Sequence, residues 1–349
     1  MTHAQAYEAA RSWIDEFGRT TAGYAGAYLS GSFLEHAPDK EWPADSDVDV
    51  VILCREDPVP QAGKFHFNGV LIEASYMHVR EFADPERVIV VHYLSYALSH
   101  AVILDDPDGI LAPLCAFVQA EYAKPERMRT RWRAMIAEIR RDCGPVDPTR
   151  SFHMQAMGWL FTTSKTAFPI LLAAGRNCTV RKRLGAARTT LEEFDCAEIM
   201  DELLLPLLGN AFNPACLPAH VDAMERAFEA ACNSDGPSRT YRFRSDISPD
   251  NRALSVDWCR AILQTAHPED CIFWLGATWT RCLTILDMDE SPAYPEHLEA
   301  LKAFLASLGI RSTADFTARL AALEAFLPRL DLLAEEVMQV VRAREAESV

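Results

Sequence analysis

The sequence predicts an α+β protein. A small α/β domain with a mixed sheet is expected over residues 1–122, and a large all-helical domain over 123–349 that can be divided again near 234–252. Three observations predict this. Short β-branched and apolar runs bounded by turn residues are confined to the first third of the chain. From Pro107 onward the apolar residues recur at helical spacing almost throughout. The length, 349 residues with 49% hydrophobic and 24% charged, suits two domains of about 150 residues and excludes a disordered chain, a collagen or a coiled-coil rod.

The elements follow in order. Residues 4–17 form an amphipathic helix, with Tyr7, Trp13, Ile14 and Phe17 on one side. Residues 24–29 are a short apolar strand running into Gly31, and the β-branched run 48–53 is a second strand. Runs 65–67 and 70–77 flank Asn68-Gly69, a two-residue hairpin signal. A helix is expected at 85–99 and a last strand at 101–104. Helices are then expected at 109–123, 125–142, 151–174, 179–195, 197–209, 217–233, 254–266, 269–287, 294–308 and 313–344. Residues 145–148 and 233–237 read as connections, and 239–251 supports no assignment.

Charge narrows the classes of partner. The chain carries 34 basic and 50 acidic residues, a net charge of −16. A surface this acidic repels phosphate backbones, so nucleic-acid binding is not expected, while a cationic small molecule or basic protein surface would be attracted. The balance is uneven. It is −11 over residues 1–120, +5 over 121–200 and −10 over 201–349. Residues 1–20 hold Glu8, Arg11, Asp15, Glu16 and Arg19 without an apolar run between them, so no secretory signal is expected. The uncharged runs 88–104 and 203–221 are broken by polar residues or prolines, so no membrane span is expected. The ten cysteines include no CxxC pair, which reads as reduced thiols in a cytoplasmic protein, most of them small core residues.

Three stretches carry chemistry: Leu29-Ser30-Gly31-Ser32, Ser46-Asp47-Val48-Asp49-Val50, and Leu71-Ile72-Glu73-Ala74-Ser75. Residues i and i+2 of a strand share a face, so Asp47 and Asp49 project side by side at the mouth of an apolar strand. Two carboxylates that close repel unless cations neutralise them, and hard divalent ions with oxygen ligands do so. Mg²⁺ in particular is held by one or two carboxylates plus substrate phosphates. Glu73 faces solvent or joins the same cluster, which it does if its strand is a neighbour. Gly31-Ser32 ends one strand and opens a helix. A glycine there lets backbone approach a phosphate, and the helix start offers N–H groups. A phosphate cradle beside a metal cluster describes metal-assisted nucleotidyl transfer.

These residues resemble the polymerase-β-like nucleotidyltransferase superfamily. Its signature is a strand ending in Gly-Ser, an acid–apolar–acid pair on the next strand and a third acid on a later one, matched by Gly31-Ser32, Asp47-Val48-Asp49 and Glu73. The run from Val102 to Gly109 looks like the strand and turn that close this domain in small bacterial members. The ensemble is most similar to the aminoglycoside (streptomycin/spectinomycin-type) and lincosamide adenylyltransferases, which add a helical domain. The resemblance covers about residues 22–125.

It implies AMP transfer from ATP to a hydroxyl of a small, polar, cationic acceptor with two Mg²⁺ ions. Asp47 and Asp49 would hold both ions. Glu73 would be either a third ligand or the base, and Gly31 and Ser32 would hold the phosphates. Alternatives on the same fold are AMP transfer to a protein hydroxyl and a non-catalytic nucleotide-binding or regulatory module. One departure stands out: 14 residues separate Ser32 from Asp47, among them Glu35, His36, Asp39, Lys40, Glu41, Trp42 and Asp45. They either form a substrate rim or change how the Gly-Ser turn sits.

The basic block contains Lys165, Arg176, Arg181, Lys182, Arg183 and Arg188. It either supplies countercharge to a triphosphate, with Lys165 and Arg181 as ligands, or is a solvated helix face. Lys165 sits in the mostly apolar run 159–172 and needs a partner or a route to water. Arg127, Arg129, Arg131 and Arg133 read as surface. Glu192 and Glu193 are further candidate bases. Trp159, Trp258, Trp274 and Trp279 read as core. No HExxH, GxSxG, GxGxxG or GxxxxGK[ST] motif occurs, which disfavours zinc, serine-hydrolase, Rossmann and P-loop chemistry.

Overall fold

A computed structural model describes residues 1–35, 39–43, 46–57 and 63–347. The chain divides into two compact units, Met1–Arg131 and Trp132–Val349. The division falls within helix Pro125–Asp142 rather than ahead of it. The start of that helix stays with the first unit because Arg127 binds Glu86 at 2.5 Å and Glu121 at 3.0 Å.

The first unit is a five-stranded mixed sheet between two helical layers. Its strands are β1 (Tyr24–Ser30), β2 (Val48–Cys54), β3 (Gly63–Phe67), β4 (Val70–His78) and β5 (Val102–Asp105), in the order β3-β4-β2-β1-β5. β2 runs parallel to β4, and the other neighbouring pairs are antiparallel. Helix α1 (His3–Glu16) starts at a capping box formed by Thr2 and Gln5. It buries Ala6, Ala9, Ala10, Trp13 and Ile14 against Ala27, Leu29, Val48, Val50, Ile52 and Ile72. The opposite face, with Tyr28, Val51 and Leu53, is covered by the layer that follows β4.

That layer contains α2 (Pro85–Val88), α3 (His92–Ser99) and α4 (Leu111–Glu121). The single helix expected at 85–99 is therefore two. Asp84 caps α2 and Pro85 opens it, but the β-branched run Ile89-Val90-Val91 interrupts the helix before α3.

Two further expectations change in this unit. The helix expected to open at Gly31 is a five-residue 3₁₀ segment, Gly31–Glu35, whose Phe33 is drawn into the core, stacked on His3 at 3.9 Å between ring centroids. Arg131 is buried rather than on the surface. Its Nη2 donates to the Tyr122 carbonyl at 2.5 Å, and its guanidinium lies 4.1 Å over the Tyr122 ring. Trp42, from the long insert, is buried beside Phe33 and His3. His36 and Asp45 of that insert lie outside the described residues.

The second unit is helical. With the rest of α5 (Pro125–Asp142) it comprises α6 (Phe152–Ser164), α7 (Ala167–Ala173), α8 (Arg183–Glu193), α9 (Ile199–Leu208), α10 (Leu217–Cys232), α11 (Trp258–Ile262), α12 (Ile272–Met288), α13 (Tyr294–Ser307) and α14 (Thr313–Glu347). Helix α12 is buried on nearly every side and forms the centre, packed by α6, α10 and α13. The helix expected over 151–174 breaks at Lys165–Thr166, because Pro169 has no N–H for the Lys165 carbonyl and its ring would crowd that group. The helix expected at 254–266 begins as a π-helical turn, Ala253–Asp257.

The unassigned stretch 239–251 is a run of 3₁₀ turns within the second unit. Its approach is anchored by Asp289, which accepts from Ser234 Oγ at 2.7 Å and from the N–H and hydroxyl of Ser238 at 2.8 and 2.6 Å. Trp159, Trp258, Trp274 and Trp279 are all buried. The cysteines are thiols outside any disulfide, and most are buried. Among the described residues no helix is long and apolar enough to cross a membrane.

Candidate functional site

The parallel pairing of β2 with β4 sets Asp49 in register with Glu73. Antiparallel β1 sets Ser30 opposite Asp49, and antiparallel β3 sets Lys64 opposite Glu73. Ser30, Asp49, Glu73 and Lys64 therefore form one lateral row across four strands. In-register residues share a face. This face, two residues further along each of β1 and β2, carries Tyr28 and Val51 of the buried layer. Asp47 precedes β2 by one residue.

The three predicted acids meet. Asp47, Asp49 and Glu73 each offer a carboxylate oxygen, and these oxygens lie within 4.8 Å of one another. Gly31 makes room for them. Its φ of +64° is left-handed, and a Cβ at this position would stand 1.8 Å from Asp49 Oδ2. The strand β2 is otherwise buried along its whole length. The cluster thus sits where an apolar strand emerges beside the Gly31 turn, and Ser32 follows on that turn.

One contributor escaped the sequence reading. Lys64 Nζ donates to Asp47 Oδ2 and stands 3.1 Å from Glu73 Oε2. Its side chain is 13% exposed, against 12% for Asp47 and 32% for Glu73. The hairpin signal could have found it. A two-residue turn at 68–69 pairs 67 with 70, 65 with 72 and 64 with 73, as observed.

The donor set is all carboxylate, which suits a hard cation. An ammonium already sits between two of the acids, and the missing side chain at Gly31 leaves room for the carboxylate of the third.

The other predicted residues lie in the second unit with partners there. Lys165 binds Glu138 at 2.5 Å and Asp142 at 2.7 Å, which answers how a lysine is tolerated in that run. The Arg181 guanidinium lies 5.4 Å over the Trp258 ring. Arg183, expected at a triphosphate or on a solvated face, does neither. It is buried against Phe273 and Phe168 at 3.8 and 4.6 Å, and burial pulls its guanidinium down to about 9. Arg188 is bound to Glu269 and Asp270. Glu193 pairs with Arg176, and Glu192 lies 3.9 Å from His267. A scan of known protein families finds no family model that matches this chain, and a search of curated proteins finds no match.

Proposed function

We propose that this chain is a divalent-cation-dependent nucleotidyltransferase with a polymerase-β-like catalytic domain. It would move AMP from ATP to a hydroxyl of a small, polar, cationic acceptor and release pyrophosphate. The observation that carries the reading is the convergence of Asp47, Asp49 and Glu73 beside the Gly31-Ser32 turn.

Asp47, Asp49 and Glu73 would hold two Mg²⁺ ions, whose chemistry when bound is to neutralise the triphosphate and acidify the acceptor hydroxyl. Gly31 lets the phosphates approach backbone, and Ser32 offers them a hydroxyl. The acceptor oxygen attacks the α-phosphorus and forms the new P–O bond. The bond from that phosphorus to the bridging oxygen breaks, and pyrophosphate leaves with the electron pair. The proton passes to water, which reaches the cluster on its Glu73 side, where the side chain is more exposed than that of Asp47. Lys165 and Arg181 have partners of their own, and the proposal gives them no step. The net charge of −16 favours a polycationic acceptor such as an aminoglycoside.

Incubation with α-labelled ATP, Mg²⁺ and a panel of aminoglycosides and lincosamides tests this. A labelled small molecule supports the reading, and labelled protein moves the acceptor to a protein hydroxyl. Asp47→Asn is expected to cut labelling by about a hundredfold or more while the melting temperature holds. Full labelling in that variant would overturn the mechanism. A second reading, a binding module without turnover, has one observation in its favour: Lys64 already neutralises part of the cluster from within. Absence of label with every acceptor would favour it.

A further inference from the structure

We propose that the Lys64 ammonium is the resident counterion of the acidic cluster and competes with divalent cations for its Asp47–Glu73 side. The proposal rests on reading Asp47, Asp49 and Glu73 as cation ligands, and on no step of nucleotidyl transfer.

The register puts the ammonium within reach of the cluster. Asn68-Gly69 takes the two left-handed conformations of a tight hairpin, φ 49° and 78°, and this fixes Lys64 opposite Glu73. The ammonium then reaches across to Asp47, so it spans the two acids that a cation on this side would bridge. Three carboxylates with oxygens within 4.8 Å of one another repel, and a divalent ion relieves that repulsion more fully than a single ammonium does.

A divalent ion and an ammonium on the same pair of oxygens repel each other and compete for the same lone pairs. Lysine is suited to yielding. Its charge is a compact, strongly hydrated point on a flexible four-carbon stem, and it forms no rigid fork. Lys64 also belongs to β3, an edge strand of the sheet.

Mn²⁺ binding to the full chain, without nucleotide, tests the competition by titration calorimetry. Lys64→Met is expected to tighten Mn²⁺ binding by about tenfold, equivalent to about 1.4 kcal/mol. Lys165→Met, which removes a lysine bound to different carboxylates, is expected to leave it unchanged. Equal or weaker binding in Lys64→Met overturns the proposal, and so does failure of both wild type and Lys64→Met to bind Mn²⁺.

If Lys64→Met does not fold, the wild type answers through lysine acetylation read by peptide mass spectrometry. Mn²⁺ should raise modification of Lys64 several-fold and leave Lys165 unchanged. Modification of Lys64 that stays constant or falls overturns the proposal. A chain that behaves as expected here, yet never labels an acceptor, would retain this inference and lose the proposed reaction.

Discussion

In the first unit Asp47, Asp49 and Glu73 crowd negative charge at the end of a sheet with Lys64 among them. In the second, Arg183 and Arg281 bury positive charge, and Asp246 stands 3.6 Å from Arg281. The two units treat like charges differently. The arginines lie against ring faces, Arg183 over Phe273 and Phe168, and Arg281 at 4.9 Å over Trp274 and 5.0 Å over Phe243. Arg183 also donates to Ser164 Oγ at 2.9 Å and to the Val180 carbonyl at 2.8 Å. Ring faces serve the arginines, but no ring face attracts an anion, so the carboxylates need cations, of which Lys64 supplies one. The arginine pair is therefore architecture, and the carboxylate trio is, in the proposed reading, a place for a cation.

The strongest way to break this contrast is to remove an arginine. Arg183→Ala is expected to destabilise the chain by about 3 kcal/mol, through a cavity among aromatic rings and the loss of the hydrogen bonds to Ser164 and the Val180 carbonyl. Arg183→Met, which keeps the volume without the charge, should recover most of that loss. Urea midpoints measure both. An alanine variant as stable as wild type would mean that the arginine serves something other than packing.

Gly31→Ala probes the other side of the contrast. Left-handed backbone costs a non-glycine residue about 1–2 kcal/mol, and the new methyl would evict the Asp49 carboxylate from its position. The expected result is a modest loss of stability together with loss of Mn²⁺ binding. Retained binding would show that Asp49 does not need its present position.

The smallest effect concerns how dry the second unit is. His153 is buried with its Nδ1 3.1 Å from the Tyr294 hydroxyl, and burial pulls its pKa from 6.5 to about 4. The unfolded chain takes up this proton near pH 6.5 and the folded chain only near pH 4. Stability from this group is therefore full above about pH 6.5 and is lost as the pH falls towards 4, by at most about 1.4 kcal/mol per unit. Comparing urea midpoints at pH 7 and pH 5 for wild type and His153→Phe should show a shallower slope in the variant. Equal slopes would mean that water reaches His153.

Much of this was legible in the sequence, for local reasons. Short apolar or β-branched runs beside turn residues marked all five strands, and helical spacing marked most helices. What local pattern conceals is what a residue meets from afar. Arg131 and Arg183 look like surface arginines until Tyr122, Phe168 and Phe273 fold against them. Pro169 sat in plain view, yet the apolar pattern ran through it and hid the break at Lys165. The two aspartates could be placed on one face by counting along a single strand. Their meeting with Glu73 depends on a parallel pairing between β2 and β4, which no turn encodes. Lys64 is the intermediate case, fixed by a turn that was recognised and a register that was not counted.

The brevity of the Asn68-Gly69 turn has an evolutionary corollary. Because two residues join β3 to β4, the basic residue and the acid opposite it move as one rigid hairpin. Inserting a single residue in that turn would send one of the pair to the far side of the sheet while leaving the other behind. Selection on the cluster is thus expected to act on the length of this corner more than on its letters, and a drifting lineage that keeps every charged residue could still dismantle the cluster with one added codon.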